Sequence, residues 1–321
     1  MKPYKPSNIA PQSGISTLAI TSILTGLITG GLVSLVSQFF YLIILFPIGM
    51  GFVGGIATST AITKGKIRNP ILGASFAALT GIITYGSMNF FDYLHFRQLA
   101  AQEITAQDPT ASISQAEIDR TIDSVLKQET GADGLIGFIK ISAKQGVEIT
   151  KAGSSSGGIK LNEEFTWFYW LVELAIIEYM AVSMALAAAS EPFCEDANEW
   201  YGEPVWSGCV PLEAKDNFLN LLNEDRFMPA GELAVSQLEL PLPRLDVYLS
   251  SCASSQFSDL VFSVKQVSQD KKGNVDLKQL VTGMVSHRQK IDFMQPIELK
   301  AESIEQAEAK LPAENPDLEN T

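Results

Sequence analysis

Four long apolar stretches dominate the first 190 residues of the chain. Their limits are 15–36, 41–63, 71–91 and 165–189. Each stretch meets the length of about 20 mainly apolar residues that a helix needs to cross a bilayer. The first three stretches and their connections contain only three charged residues, Lys64, Lys66 and Arg68. The pattern therefore predicts four transmembrane helices.

The connection between the first two stretches is very short, because only residues 37–40 separate them. A single helix through both would be roughly 70 Å long, which far exceeds the hydrocarbon thickness of about 30 Å. The two stretches must therefore form a tight hairpin. Pro47 lies inside the second stretch and predicts a kink there, because proline removes a backbone hydrogen bond.

Basic residues in the short segments predict the orientation of the helices. These residues are Lys2, Lys5, Lys64, Lys66 and Arg68. The only other short connection, 37–40, contains none. We therefore expect a cell-membrane protein with residues 1–14 and the C-terminal part in the cytoplasm, and with the segment 92–164 on the opposite side.

The segment 92–164 is expected to contain one amphipathic helix. Ser114 and Glu117 form a capping-box pattern at its start, and apolar residues then recur at helical spacing up to Gly131. The apolar region 134–149 is less regular and could lie along the membrane surface. Residues 153–158 are glycine and serine, which is typical of a flexible linker into the fourth stretch.

The region after the fourth stretch has the pattern of a small soluble domain. Its expected elements are a helix at 212–222, an extended piece at 238–243, a strand at 247–252, and a hairpin of 260–267 with 275–285. We assign 190–297 to this domain and the Glu-rich residues 298–321 to a loosely ordered end. The predicted fold class is an α-helical membrane bundle of four transmembrane helices plus a small α+β C-terminal soluble domain.

Charge and motif content exclude several functions. The net charge is −13, and about twice as many acidic as basic residues follow the fourth stretch. Nucleic acid is therefore not an expected partner, since phosphate binding requires clustered Lys and Arg. The sequence contains no phosphate-binding glycine loop, nucleotide fingerprint or metalloprotease helix. We expect neither an enzyme nor a bound cofactor.

Two glutamates, Glu173 and Glu178, are the only charged residues in the fourth stretch. A carboxyl group within the membrane is costly and is therefore a candidate for function. Five residues apart, the two point about 140° from each other, so a tight pair is not expected. One hypothesis is a proton or cation relay. The alternatives are a protonated glutamate bonded to Thr or Ser of the first helix, or a Glu173 at the membrane interface.

Glycines spaced four apart mark packing surfaces in the first two stretches. They are Gly26 with Gly30, and Gly51 with Gly55. Such small-residue pairs allow helix backbones to approach closely. Packing within the first hairpin is the favoured interpretation, and homodimerisation is the alternative.

The cysteines carry the only resemblance to a known family. Two half-knuckles, Cys194-Glu-Asp-Ala197 and Cys252-Ala-Ser-Ser255, each match the first half of a Cys-x-x-Cys pair. Together they resemble a zinc ribbon over about 60 residues, which implies that Cys194 and Cys252 lie close together. Cys209 and His287 could complete a metal site. Because zinc usually needs four ligands and each knuckle lacks its second cysteine, we expect free thiols and a metal-free module.

The leading functional hypothesis is a multi-pass membrane scaffold or binding protein. The bilayer would hold the helices, and the C-terminal domain would bind other proteins. The alternative is a small transporter or channel subunit that uses Glu173 or Glu178 and forms a homo-oligomer to enclose a path.

Overall fold

The computed structural model describes residues 1–107, 114–149, 159–236, 240–254 and 258–308. The chain divides into two compact units. One is a helical unit of residues 6–191. The other, here called the C-terminal unit, contains Met1–Lys5 and the described residues from Pro192 onward. The linker expected at 153–158 lies outside the described residues.

The described part of the helical unit contains six α-helices and one pair of short strands. The helices are α1 (Gln12–Ser37), α2 (Leu45–Lys64), α3 (Pro70–Gln107), α4 (Gln115–Thr130), α5 (Gly134–Gln145) and α6 (Glu163–Ser190), and the strands are β1 (Glu148–Ile149) and β2 (Ile159–Lys160). Over the described residues, α1, α2, α3 and α6 are long and apolar enough to cross a membrane.

Small residues are buried and large apolar residues are exposed on α1. Its buried positions recur every four residues and are Gly14, Leu18, Ser22, Gly26, Gly30 and Ser34. Its exposed positions include Ile20, Leu24, Ile28 and Leu35. A water-soluble protein would place the large apolar side chains inside, whereas close backbone packing through small residues is typical of membrane helices.

The connection between α1 and α2 is short, as the hairpin prediction requires, but α2 starts later than the apolar pattern suggested. Its first residue is Leu45, so Pro47 lies in the first helical turn. Backbone N–H groups of the first turn have no intrahelical acceptor in any case, and proline is tolerated there. The predicted kink within α2 is therefore wrong.

The amphipathic helix predicted after the third apolar stretch is α4. Its capping box at Ser114 and Glu117 is formed, and Gly131 ends it in the left-handed conformation. Its buried face packs with Tyr93 of α3 and with apolar side chains of α5. The α5 region, for which a membrane-surface position was one interpretation, thus contributes Phe138 to a cluster with α3 and α4.

The C-terminal unit is an antiparallel sheet with helices. Its strands are β3 (Phe193–Cys194), β4 (Glu199–Trp200), β5 (Val205–Pro211), β6 (Arg244–Ser250), β7 (Leu260–Gln269) and β8 (Val275–Val285); its helices are α7 (Lys215–Asn223), α8 (Phe227–Leu233) and α9 (His287–Glu308), with a 3-10 turn at Leu212–Ala214. The main sheet has the order β5-β6-β7-β8. The small α+β domain is therefore present, although β5, α8 and α9 were not predicted.

The β7–β8 hairpin closes at the predicted turn. Asp270 accepts hydrogen bonds from the side chain and backbone N–H of Asn274 and from the backbone N–H of Lys272. These bonds, first that from the Asn274 side chain, hold the pKa of Asp270 below its usual value. The local hydrogen bonds explain why this turn could be recognised in the sequence.

The core of the C-terminal unit lies between one face of the sheet and the helices. Phe262 of β7 stacks edge-on with Phe293 of α9, and Phe218 of α7 lies next to the same ring. The N-terminal residues join this unit because Lys2 forms an antiparallel bridge with Met284 of β8. No local pattern in residues 1–5 predicts that they extend this sheet.

The end of the chain differs from the expected loosely ordered segment. Helix α9 continues to Glu308, and Phe293 and Ile297 anchor it in the core. Residues 298–308 are therefore helical. Residues 309–321, and residues 238–239 of the expected extended piece, lie outside the described part of the chain.

Candidate functional site

The most elaborate polar site in the helical unit surrounds Glu173 of α6, whose side chain is only 3% exposed. The hydroxyl group of Tyr41 donates to its Oε1 atom at 2.5 Å, and that of Tyr85 donates to Oε2 at 3.1 Å. Tyr169 also donates to Oε1. The carboxyl group thus joins the α1–α2 loop, α3 and α6, and its oxygens are well provided with donors.

The partners of Glu173 differ from those expected from the sequence. A hydroxyl group of α1 was the predicted alternative to a relay, but the three donors in the structure are phenols from other segments. Tyr169 could have been anticipated, because residues four apart on a helix share a face. Tyr41 and Tyr85 are distant in sequence and reach Glu173 only through helix packing.

Glu178 has a very different environment. Its carboxyl group lies against Gly81 of α3, where a side chain would come within 2.9 Å of the Glu178 Cδ atom. Within the described residues, neither carboxyl oxygen has a hydrogen-bond partner, and both are shielded from solvent. Gly81 thus provides the space for this carboxyl group. An unpartnered carboxyl group in an apolar helix bundle is costly, which makes Glu178 the stronger candidate for function in the bundle.

The four candidate glycines contact helices other than their hairpin partners. Gly26 and Gly30 of α1 face α3, and Gly51 and Gly55 of α2 face α6. A methyl group on Gly30 would lie 2.8 Å from the backbone nitrogen of Met88. The glycines therefore set the approach of α1 to α3 and of α2 to α6, rather than the contact within the α1–α2 hairpin.

Cys194 and Cys252 are adjacent, as the resemblance implied, but they form a disulfide with Cα atoms 6.4 Å apart. The expectation of three free thiols is therefore wrong. Cys209 lies apart in β5, where burial raises the pKa of its thiol and disfavours the thiolate that binds metals. In the described part of the chain no group of His, Cys, Asp or Glu could hold a metal ion. The zinc-ribbon interpretation is unsupported, and Ser255 lies outside the described residues.

The C-terminal unit contains an open cleft between β5 and α9. Its volume is about 640 Å³, within the range of ligand and peptide sites. Residues that line it include Val205, Trp206, His287, Lys290, Ile291 and Met294. Val205 and Ile291 are exposed apolar residues, and charged side chains border them. His287, considered above only as a metal ligand, thus lies at the edge of this cleft.

Trp206 gives the cleft its most specific feature. Within the described residues its indole N–H group is buried and has no hydrogen-bond acceptor. A buried donor without an acceptor costs about 1–3 kcal/mol. The tryptophan ring can pack against an apolar group while its N–H group binds an oxygen atom, a combination that is common at binding interfaces.

Comparison of the chain with protein-family models, with curated proteins and with solved structures gives no match. Functional arguments for this protein therefore rest on the geometry of its own residues.

Proposed function

We propose that this protein is a multi-pass membrane protein that anchors a binding domain to the bilayer. Membrane insertion is supported by the four long apolar helices and by the burial of small residues beneath exposed large ones on α1. The bundle would be the anchor, and the C-terminal unit the domain that binds partner proteins. The bundle could also associate with a second copy of itself.

The proposed binding role rests on the cleft between β5 and α9. It combines exposed apolar side chains with charged groups and with the unpartnered N–H group of Trp206. A protein segment with an apolar side chain and a neighbouring carbonyl oxygen would fit these features if the indole ring turns its N–H group, which is buried in the unbound cleft, toward that oxygen. Binding would also remove the cost of the unpaired donor.

The residues that form the C-terminal unit support a topology with both ends of the bundle on one side of the membrane. Residues 1–5 belong to this unit together with the chain that follows α6, so we expect both ends to emerge on the same side. Four crossings satisfy this condition. The charge rule places that side in the cytoplasm. The Cys194–Cys252 disulfide argues for an oxidising compartment, since disulfides are rare in the cytosol.

Site-specific cross-linking tests the binding role. A photo-reactive amino acid replaces Ile291 in the cleft, or Val275 on β8 as a control of similar exposure, in protein within native membranes. We expect a discrete cross-linked protein from position 291 and none from position 275. Trp206→Phe should weaken that product about 2- to 10-fold, since one hydrogen bond contributes about 0.5–1.5 kcal/mol.

The melting temperature of the same variant shows whether a loss of folding, and not a loss of binding, explains weaker cross-linking. Trp206→Phe keeps the aromatic packing and removes an unsatisfied donor, so its melting temperature should be unchanged or higher. Equal cross-linking from both positions, or a Trp206→Phe variant that binds normally, would contradict a specific role of the cleft.

A transporter role is the second proposal, and it is favoured by the unpartnered carboxyl group of Glu178. Such a group could exchange a proton or cation along the α3–α6 contact. We expect Glu178→Gln to abolish proton or monovalent-cation flux in reconstituted vesicles while the yield of folded protein stays the same. Absence of flux in the parent protein would reject this role.

A further inference from the structure

The outer surface of the helical unit has a groove between α1 and α3 that the proposals above do not use. Its volume is about 600 Å³. Apolar side chains of α1, namely Leu27, Ile28, Leu32 and Leu35, form one wall, and Phe91 and Leu94 of α3 form the other. Between the two walls the Phe91 ring lies against Gly31, where an added Cβ would be 3.0 Å from the ring. Such a groove between two membrane helices can hold a hydrocarbon chain.

The groove has one polar end. Gln38, which follows the last residue of α1, lies there together with His95 and Gln98 of α3. These side chains can donate hydrogen bonds to phosphate or ester oxygens. The groove is therefore apolar along most of its length and polar at one end, next to the last residue of α1. A single lipid molecule has the same distribution of polarity.

The length of the groove fits one half of a bilayer. From Leu27 to Gln38, α1 rises about 16 Å at 1.5 Å per residue. Half of a hydrocarbon core of about 30 Å is about 15 Å. An acyl chain that starts at the polar end would therefore reach the middle of the bilayer along this wall. An extended peptide is disfavoured as the occupant, because its backbone groups would lack partners at that depth.

Charge at the polar end distinguishes between headgroups. Asp92 accepts a hydrogen bond from Ser34, a groove residue, at 2.5 Å. Arg97 lies nearby, but it is paired with Asp119 at 2.5 Å. The Arg97 charge is thus compensated by Asp119, and an ionised Asp92 leaves one excess negative charge beside the groove, which repels an anionic headgroup and attracts an ammonium group. A phosphate that also carries an ammonium fits this balance, and the phosphate would meet Gln38, His95 and Gln98.

The space beyond the polar end could hold such a headgroup. Leu94 and Gln98 also line a second cavity, of about 850 Å³, between α3 and α4. From these observations we propose that the groove between α1 and α3 is a binding site for one zwitterionic phospholipid. The proposal rests on membrane insertion of the bundle, but it is independent of the binding role of the C-terminal unit.

Native mass spectrometry of the full-length protein tests this site. The protein is reconstituted into vesicles of equal phosphatidylethanolamine and phosphatidylglycerol, washed with alkaline carbonate, and extracted in mild detergent. We expect one phosphatidylethanolamine to remain bound in preference to phosphatidylglycerol. Leu32→Trp should fill the groove and lower the lipid-bound fraction at least about fivefold, whereas Ile82→Trp, at a position of equal exposure on α3 outside the groove, should not.

A second variant tests the polar end without changing the apolar walls. His95→Ala combined with Gln98→Ala should lower lipid retention while the melting temperature in detergent stays within about 1–2 °C of the parent, since surface substitutions cost little. Release of the protein by carbonate would overturn membrane insertion itself. Firm insertion with no retained lipid, or retention that neither headgroup nor either variant alters, would overturn the site alone.

Discussion

At the scale of single residues, the two glutamates of α6 show how one residue type can have opposite roles. Glu173 accepts hydrogen bonds from three tyrosine hydroxyl groups, so its burial is compensated. Glu178 is shielded from solvent without any such bond within the described residues. We therefore expect Glu173 to stabilise the contact of three segments, and Glu178 to lower the stability of the bundle.

The stability of two matched variants tests this contrast. Glu173→Leu leaves phenol hydroxyl groups without their acceptor and should lower the stability of the bundle, by about 1–3 kcal/mol for each hydroxyl left buried and unsatisfied. Glu178→Leu removes an unpaired carboxyl group and should leave the melting temperature unchanged or raise it. Thermal unfolding in detergent measures both. A larger loss in Glu178→Leu than in Glu173→Leu would show that the assignments are reversed.

At the scale of elements, glycine determines which helices of the bundle approach each other. The buried stripe of α1 repeats every four residues, and its Gly26 and Gly30 lie against α3. Because glycine has no side chain, the backbones come close enough for the Ser87 hydroxyl group to donate to the carbonyl oxygen of Gly26 at 3.0 Å. Contact between α1 and α3 thus depends on the absence of side chains at these positions.

Addition of one methyl group at Gly30 should show how strongly the contact between α1 and α3 depends on glycine. Gly30→Ala would place Cβ within 2.8 Å of the Met88 backbone nitrogen and should cost about 1–3 kcal/mol, as overpacking does. Gly49→Ala on α2 is the matched control, because nothing lies within 4 Å of the added atom. It should be neutral or stabilising by up to about 1 kcal/mol through its helix propensity. Equal melting temperatures for both variants would refute the close-packing account.

At the scale of the whole molecule, both chain ends contribute to one unit, and this constrains the topology. Reporter fusions after residues 65 and 250 should report the same side of the membrane, and a fusion after residue 130 the opposite side. If the reporters after residues 130 and 250 lie on the same side, α6 does not cross the membrane. The charge rule predicts cytoplasm for the shared side, whereas the Cys194–Cys252 disulfide favours the other compartment.

Thiol counting gives an independent measurement of that disulfide. In protein that is denatured without reductant, only the Cys209 thiol should react with an alkylating reagent, because the other two cysteines are bonded to each other. Mass spectrometry should therefore find one added label per chain, and three labels after reduction. Three labels without reductant would place the C-terminal unit in a reducing compartment and remove the objection to the charge rule.

Elements whose physical signal is local could be predicted from the amino-acid sequence. Apolar stretches long enough for a membrane predicted four helices, because length and composition alone decide whether a helix can be accommodated in a bilayer. The capping box at Ser114 and the Asp270 turn were readable for the same reason, since each is closed by hydrogen bonds within a few residues. The small α+β domain was likewise visible from its alternating strand pattern.

Contacts between residues far apart in sequence depend on how the helices and strands pack. The meeting of Tyr41 and Tyr85 at Glu173, the pairing of the glycine faces with α3 and α6, and the addition of Lys2 to β8 depend on helix and strand placement that no local pattern encodes. The cysteine pattern predicted that Cys194 and Cys252 lie close together, but not that they form a disulfide. The fold brings the two sulfur atoms within bonding distance, and among the described residues no group around them could hold a metal ion.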